Sequence, residues 1–495
     1  MKRLPLALIA VTALSGSALA ADLPARIYTK AQPQVAVAPS WTGFYVFGGG
    51  GGGMWNADSN EAINNSSSNT RDQRLGGHGA FGTVGAGYDW QFARSWVAGA
   101  FADGMFGSLS GSLSDPLQTE ATGTEKLRTT WAVGARLGYL VAPNVLSYLN
   151  AGYTGSAWSG TTMFSATVVD ASIPIDTTPS FHRDGWFVGG GVENSLNIFG
   201  VTAPGWFMKT EYRAAYFGRV TLPETAVNGN PVADILTFKP WSQTVSTSLV
   251  YRFNSGGPTV LAADQPAYAK AASPIVTPSW TGFYLFGGGG GGIWDADSNL
   301  VGLGIGNETN NQRLGGDGWF ATAGAGYDWQ FAGSLVAGVF ADGMFGAIKG
   351  SLSDPFDHSE GTEKLRTTWA AGARFGYLVA PNVLSYVNAG YTSSEWSGVS
   401  FSRLVDGGST GGATPSFHRD GWFVGGGVES SLNIFGISAP GWTMKTEYRA
   451  AYFDRISLPE TNPQRSIVTF QPTVQTVSTS LVYRFNSDGR AASKY

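Results

Sequence analysis

The sequence contains one long segment twice, and this duplication constrains the fold more than any other feature. Residues 41–254 reappear as residues 280–486. "TPSFHRDGWFVGGGVE" occupies 178–193 and again 414–429. The period of about 235 residues is far longer than the 20–50 residues of a solenoid repeat. The chain is therefore predicted to contain two copies of one domain.

Length differences between the copies locate the loops. The segments that differ in length are 109–125, 159–178 and 219–243, and a fourth segment, 60–72, changes its residues at constant length. The connectors that hardly change are 92–95, 142–144 and 198–205. Long variable segments thus alternate with short constant ones. This pattern predicts an eight-stranded antiparallel meander in each copy, with long loops at one end and tight turns at the other.

The segments between the loops alternate between apolar and polar residues. In 127–139, Leu127, Trp131 and Leu137 share one face, and Arg128 and Arg136 lie on the opposite face. The segments 206–216 and 245–253 behave in the same way, whereas the two faces of 145–157 are similar. Such a period of two indicates β-strands with one apolar face.

Two environments produce this alternation. A soluble β-sandwich buries its apolar face, whereas a membrane barrel turns it toward lipid and encloses the polar face. The strands here are ten or more residues long, charged residues are only 13% of the chain, and aromatic residues gather at the strand ends. These features favour an all-β fold of the transmembrane antiparallel up-and-down barrel class.

The N-terminus indicates export. Residues 1–20, "MKRLPLALIAVTALSGSALA", have the charged start, apolar run and small-residue end of a signal peptide cleaved after Ala20. The alternative, a membrane anchor, requires a longer apolar run. The remaining predicted boundaries are a periplasmic N-terminal segment 21–40, a first barrel 41–254, an Ala/Pro-rich linker 255–279, a second barrel 280–486 and a tail 487–495.

Composition narrows the classes of partner and site. The net charge of −4 provides no basic field, so no nucleic acid is expected as a partner. The chain has no cysteine, which excludes disulfides and thiolate metal sites. Aromatic residues make up 13%, a content that argues against disorder.

Three segments resemble a known family. They are "ADLPARIYTKA" at 21–31, "SWTGFYVFGGGGGGMW" at 40–55 and the closing "LVYRF" at 249–253 and 481–485. They resemble the small outer-membrane surface antigens of alphaproteobacteria, also called outer-membrane immunogenic or porin-like proteins. The resemblance implies barrels of about eight strands in the outer membrane of a Gram-negative bacterium, with structural and surface-antigen roles. The duplication and the ten residues after Phe485 depart from the family pattern.

The resemblance also implies partners. Outer-membrane lipid and lipopolysaccharide would surround the barrel, and the barrel-assembly machinery would insert it. Peptidoglycan and self-association are further candidates.

The inward faces of the predicted strands carry charge that recurs in both copies. The first copy has Asp103, Arg128, Arg136, Glu193, Lys209, Glu211, Arg213 and Arg252, and the second has Asp342, Arg366, Arg374, Glu429, Lys445, Glu447, Arg449 and Arg484. One interpretation is a salt-bridge network that fills a narrow lumen, because charges beneath a low-dielectric wall need partners. The other is an ion pathway or salt-bridge gate.

Aromatic residues near the strand ends are predicted to form two girdles at the membrane interfaces. They are Trp41, Tyr45, Trp55, Trp90, Tyr139, Trp206, Tyr251 and Phe253 in the first copy, and Trp280, Tyr284, Trp294, Trp329, Tyr377, Trp442, Tyr483 and Phe485 in the second. The six glycines 48–53, repeated at 287–292, would then lie in the middle of the first strand. We expect them to leave room inside for Arg136, Glu193, Glu211 and Arg213, and to permit close strand approach on the outside.

Catalytic and ligand motifs are weak. Ser180, His182 and Asp184 within "SFHRD" would suit a hydrolase at a barrel rim, but no oxyanion donor accompanies them. "DADSN" at 295–299 begins like a calcium loop, yet Gly306 stands where the bidentate Glu belongs. The glycine runs precede no helix, so nucleotide binding is unsupported. No enzymatic activity, catalytic residue, metal or cofactor is predicted.

The number of barrels decides the predicted function. Two tandem eight-stranded barrels would have filled interiors and a structural, envelope-stabilising, surface-exposed role. One sixteen-stranded barrel would enclose an aqueous channel and act as a general diffusion porin. We expect the first arrangement; an outer-membrane hydrolase is the third hypothesis.

Overall fold

A computed structural model describes nine segments of the chain, and all structural statements below concern them. They are 40–62, 69–115, 121–165, 173–198, 201–253, 279–303, 308–434, 437–461 and 466–485. The predicted signal peptide, the linker 255–279 for all but its last residue, and the tail 487–495 lie outside the described residues. Within the nine described segments, no helix is long and apolar enough to cross a membrane.

The described residues fold almost entirely into β-strands. In the first repeat these are β1 (Gly43–Ala62), β2 (Gln73–Phe92), β3 (Trp96–Asp115), β4 (Ala121–Ala142), β5 (Val145–Trp158), β6 (Thr161–Phe164), β7 (Pro174–Thr178), β8 (Phe181–Ile198), β9 (Val201–Phe217), β10 (Val220–Ala226) and β11 (Pro231–Arg252). In the second they are β12 (Gly282–Gly302), β13 (Gln312–Phe331), β14 (Leu335–Asp354), β15 (Ser359–Ala380), β16 (Val383–Trp396), β17 (Val399–Arg403), β18 (Ser409–Thr414), β19 (Phe417–Ile434), β20 (Ile437–Phe453), β21 (Ile456–Pro459) and β22 (Ser466–Arg484). One short 3-10 helix, Pro355–Asp357, follows β14.

The long strands of each repeat pair in a closed ring. In the first repeat the order is β1-β2-β3-β4-β5-β8-β9-β11, and β11 returns to pair with β1. In the second repeat β12 pairs with both β13 and β22 in the same way. All these ladders are antiparallel, so the predicted all-β antiparallel barrel fold is confirmed. A sixteen-stranded ring would instead need a ladder between β11 and β12, and the described strands form none. The number of barrels in the membrane stays a prediction, tested below.

The short strands extend the wall at the long-loop end. In the first repeat, β6 and β7 pair with each other, and they link β4 to β10 and β11. They lie in segments that the sequence predicted as variable loops. Met163 of β6, Leu222 of β10 and Phe238 of β11 are buried in one apolar core, and the burial of this apolar surface stabilises the added sheet. The long-loop end is therefore an ordered extension of the barrel.

The glycine run lies in the middle of β1, as expected, but its two faces differ from the prediction. Gly49 and Gly51 point inward, and a Cβ at Gly51 would lie 1.9 Å from the Val245 carbonyl oxygen of β11. A Cβ at the outward Gly52 would lie 3.7 Å from its nearest neighbour. The close strand approach is thus on the inner side, because a small barrel curves most tightly there. Backbone of β11, rather than charged side chains, lies next to the inward glycines.

Other glycines make room for the aromatic side chains that point into the barrel. The Phe47 ring would collide with a Cβ at Gly85, and the Tyr45 hydroxyl with one at Gly87. Both glycines lie on β2, directly across from these rings in the register of β1 and β2. Room for bulky inward side chains therefore comes from β2.

Candidate functional site: the charged lumen

Four charged side chains form a closed cluster near the tight-turn end of the first barrel. The Arg136 Nε donates to Asp89 Oδ1 over 2.9 Å, and its Nη1 donates to Glu193 Oε2 over 3.0 Å. Arg252 contacts the same two carboxylates, with its Nη2 2.7 Å from both Asp89 Oδ2 and Glu193 Oε1. These four side chains come from β2, β4, β8 and β11, so the cluster ties opposite walls together.

A second cluster lies deeper in the lumen. Arg213 makes a two-pronged contact with Asp103, at 2.9 and 2.7 Å, and its Nη2 also donates to Glu211 over 2.8 Å. Lys209 Nζ lies 3.6 Å from Glu211, and the Tyr148 hydroxyl donates to the same carboxylate over 2.8 Å. Such bidentate, charge-assisted contacts are the strong ones.

The second barrel repeats both clusters with nearly equal distances. Arg374 and Arg484 bind Asp328 and Glu429, with Arg374 Nη1 3.1 Å from Glu429 Oε2. Arg449 contacts Asp342 at 2.9 and 2.7 Å and Glu447 at 2.9 Å, and Lys445 is 3.6 Å from Glu447. The arrangement is therefore a property of the domain rather than of one copy.

Aromatic rings complete the surroundings of the cations. Arg136 lies over the Tyr45 ring at 4.4 Å, and Lys209 over Phe47 at 3.4 Å. Arg213 lies over Phe187 at 4.5 Å. The network in each barrel contains four carboxylates and four cations, so its formal charge is zero. Paired in this way, the charges avoid the large desolvation cost of an unpaired buried ion.

Tryptophans close the lumen on both sides of the charges. At the tight-turn end, Trp41 is buried, and its Nε1 donates to the Pro143 carbonyl over 3.1 Å. Toward the long-loop end, Trp55 packs against Trp158 and Phe238 with ring centroids 5.3 and 5.7 Å apart. The second barrel has the same closures, with Trp280 at one end and Trp294, Trp396 and Phe470 at the other.

Little open space remains between these layers. A cavity of about 30 Å³ borders Asp103, Lys209 and Glu211 in the first barrel. Its counterpart in the second barrel is about 40 Å³. A buried water needs roughly 10–15 Å³, so each cavity has room for only a few water molecules.

The structure brings together most of the charged residues that the sequence suggested for the lumen. The exceptions are Arg128 and Arg366, which are exposed. The ladder between β4 and β5 is irregular between Leu127 and Thr129, so Arg128 occupies an extra position and the simple alternation fails there. The sequence analysis missed Asp89 and Asp328, which are both fully buried in the network.

The predicted girdle aromatics divide into two groups. Those exposed on the outer surface are Trp90, Trp206, Phe253, Trp329, Trp442, Tyr483 and Phe485, and those half-buried are Tyr139, Tyr251 and Tyr377. The girdle prediction is wrong for Trp41, Tyr45, Trp55, Trp280, Tyr284 and Trp294, which all point inward. In β1, Phe44 and Val46 point outward, with 64% and 42% of their surface exposed. Because successive strand residues point to opposite faces, Tyr45 between them points inward.

The residues of the other candidate sites do not converge. His182, Asp184 and Ser180 are exposed, and His182 and Asp184 lie on the outward face of β8, away from the lumen. In "DADSN", Asp297 pairs with Arg313 at 2.7 Å and Asp295 contacts His78. In the part of the chain that the structure covers, no three His, Asp or Glu side chains are placed to hold a metal ion.

The long-loop extension contains a pair of buried carboxyl groups, those of Asp354 and Glu460. Asp354, which ends β14, is buried and accepts from the Phe356 amide over 3.0 Å. Burial, together with the neighbouring Glu460, raises the pKa of Asp354 to about 8. The raised pKa favours the neutral, protonated form of the Asp354 carboxyl group. The first repeat has Asp115 and Glu224, also buried, at the equivalent positions.

Comparison with known proteins finds similarity to outer-membrane proteins. The 31 kDa outer-membrane immunogenic protein of Brucella melitensis biotype 1 is 24% identical over 234 residues, which cover 44% of this chain and 88% of that protein. Over this length the chain is therefore similar to outer-membrane immunogenic proteins. The protein of the same name from Brucella suis biovar 1 aligns over the same length with the same identity. No protein-family model matches the chain. An alignment of this length corresponds to about one of the two repeats.

Solved outer-membrane proteins resemble the chain only distantly. The toluene transporter TodX of Pseudomonas putida is 9% identical with a TM-score of 0.25, covering 90% of each chain. A FadL homologue of Pseudomonas aeruginosa is 11% identical with a TM-score of 0.27, covering 89% of this chain and 90% of the other. Ail of Yersinia pestis is 13% identical with a TM-score of 0.20, covering 40% of this chain and 99% of its own. At such scores nothing about function follows from these structures.

Proposed function

We propose that this outer-membrane barrel protein has a structural, envelope-stabilising and surface-exposed role, with each lumen filled rather than open. The closed ion-pair network between two tryptophan layers carries the proposal. A pathway for solutes would need water-filled space along the barrel axis, and the cavities described above hold only a few waters each. An eight-stranded interior is just wide enough for its own side chains.

The outer surface suits outer-membrane lipid as the surrounding partner. Leu149, Val133 and Leu137 project outward with 74%, 55% and 50% of their surface exposed. Exposed aromatic residues such as Trp90 and Phe253 lie near the tight-turn end. The candidate hydrolase residues Ser180, His182 and Asp184 lie exposed outside the lumen, so they take no part in the role proposed for the filled lumen.

Conductance measurements test the filled lumen. In a planar bilayer the purified full chain is expected to give no lasting open-channel current, because the charged clusters and tryptophans occlude both lumens. A sixteen-stranded diffusion porin in the same bilayer provides the positive control. Stable steps comparable to those of the porin would contradict the proposal and favour the alternative, a single wide channel.

The number of barrels has a separate test. Residues 21–257, expressed alone with the signal peptide, are expected to insert into the outer membrane, resist protease and show heat-dependent gel mobility, because β1 and β11 close the ring without the second repeat. If only the full chain shows these properties, the two-barrel arrangement fails. The test depends on assembly and not on conductance, so the two results are independent.

A further inference from the structure

The two repeats contact each other along a seam at the long-loop ends of β2, β3, β13 and β14. Gly77 is the last residue of β2 in this direction to pair with β3, and Gly316 is the last of β13 to pair with β14. Beyond them, Leu75 pairs with Leu314 of the other repeat, and both side chains are fully buried. The two repeats thus share one apolar core at this end.

Contacts across the seam occur as equivalent pairs. The Arg74 amide donates to Ser351 Oγ over 2.8 Å, and the Arg313 amide donates to Ser112 Oγ over 2.8 Å. At the centre, Gln73 and Gln312 bind each other and the serines of both repeats.

The tight turns at the other end repeat this reciprocity. Asn144 Nδ2 donates to the Val379 carbonyl over 3.4 Å, and Asn382 Nδ2 donates to the Val141 carbonyl over 3.1 Å. Reciprocal contacts of this kind are typical of an isologous interface between two copies of one domain.

Among the differences between the copies, two place diverged side chains against the other repeat. Asn56 of the first repeat corresponds to Asp295 of the second, and His78 corresponds to Asp317. His78 Nδ1 lies 2.5 Å from Asp295 Oδ2, and Arg74 forms an ion pair with Asp317. The Asp295 side chain is only 2% exposed, whereas the His78 side chain is 41% exposed, so this contact lies at the edge of the buried seam.

These differences would penalise the wrong pairings. If two first repeats met in the same way, His78 would face the neutral Asn56, and Arg74 would face His78. If two second repeats met, Arg313 would take the place of Arg74 beside Asp317. Asp317 would, however, also face Asp295, which places two carboxylates together. Only a mixed pair sets His78 against Asp295 and Arg74 against Asp317. Like charges at an interface suppress wrong partners and opposite charges favour the right one.

We propose that this seam is a docking surface for the other repeat of the same chain, and that Arg74, His78, Asp295 and Asp317 determine its specificity. The common residues around Gln73 and Gln312 provide affinity for any copy of the domain. The diverged charges direct the first repeat to the second. The proposal concerns pairing between repeats and does not depend on whether the lumen conducts.

Disulfide trapping in the full chain tests the seam, since the native sequence has no cysteine. Leu75→Cys with Leu314→Cys is expected to form an intramolecular disulfide under mild oxidation in outer membranes, because paired antiparallel residues have Cα atoms about 4.5–5.5 Å apart. A gel of boiled, unreduced protein detects the faster-moving cross-linked chain. Gln73→Cys with Ser353→Cys provides a second pair in case the leucine replacements impair assembly. If neither pair closes, or if the disulfides join separate chains, the proposal fails.

Charge substitutions in the same cysteine background test the specificity. His78→Asp reproduces the residue of the second repeat and is expected to lower the rate of disulfide formation about tenfold, because Asp then faces Asp295. His78→Asp with Asp295→Asn should restore the rate. His182→Asp, an exposed site on β8, is the matched control and should leave it unchanged. Unaltered heat-dependent gel mobility shows that the barrels remain folded. A rate for His78→Asp equal to that of the parent, or no recovery in the double variant, would overturn the assigned role of these charges.

Discussion

Gly51→Ala is expected to destabilise the first barrel, whereas Gly52→Ala is expected to leave it as stable or slightly more stable. A Cβ at Gly51 would lie 1.9 Å from the Val245 carbonyl oxygen, so β1 and β11 must separate or twist to accept it. Overpacking of this kind costs about 1–3 kcal/mol and occasionally more. At Gly52 the new methyl group would make an ordinary van der Waals contact, 3.7 Å from the Gly79 carbonyl oxygen. Replacing glycine in a strand interior by alanine gains roughly 0.5–1 kcal/mol.

The measurement is urea unfolding of the refolded protein in detergent, followed by the loss of heat-dependent gel mobility. The second repeat provides an independent replicate, because a Cβ at Gly290 would lie 1.9 Å from the Val477 carbonyl oxygen and one at Gly291 3.7 Å from Trp319. Equal unfolding midpoints for Gly51→Ala and Gly52→Ala would show that the inner face is not tightly packed against β11.

Arg136→Ala is expected to lower the free energy of unfolding by about 3–5 kcal/mol. This is the cost of removing one partner of a buried ion pair and leaving the other charge buried without it. The substitution leaves Asp89 and Glu193 with Arg252 as their shared cation, so one negative charge is in excess within the lumen. Arg128→Ala on the same strand is the matched control. Its side chain is exposed, so its effect should stay within roughly 0.5 kcal/mol.

Arg136→Ala combined with Glu193→Gln extends this experiment. The double variant removes the excess charge, so it should be less destabilised than the sum of the two single variants. Strict additivity, or an Arg136→Ala loss no larger than that of Arg128→Ala, would contradict the described network.

The alternation of residues predicted much of this architecture because it follows directly from strand geometry. The sequence correctly predicts that Arg136 points into the lumen, because Ala132, Gly134 and Gly138 continue the same alternating face of the strand. Arg128 was misplaced because the irregularity beside Leu127 has no local sequence signal. Irregular positions of this kind are decided by how two strands pair, which a single strand does not encode.

Asp89 could have been found from the sequence. It lies between Tyr88 and Trp90, which are exposed at 43% and 60%. In a strand with both neighbours facing lipid, the residue between them must face the lumen. The glycine run gave no such help, because six residues without side chains hide the phase of β1. Because of this ambiguity, the sequence places Tyr45 and Trp55 among the girdle residues at the membrane interface, whereas both side chains point inward.

The closing strands also pose a problem of assembly order. Residues 245–252 of β11 and 477–484 of β22 are identical in sequence, so β1 meets equally suitable edges in both. The wrong edge is about twice as far along the chain, and doubling a loop disfavours its closure by only about 0.6 kcal/mol. Chain entropy alone would therefore allow a substantial fraction of crossed closures. Faithful assembly then requires the first barrel to close before β22 becomes available, so vectorial delivery of the chain, N-terminus first, is a condition for the correct product.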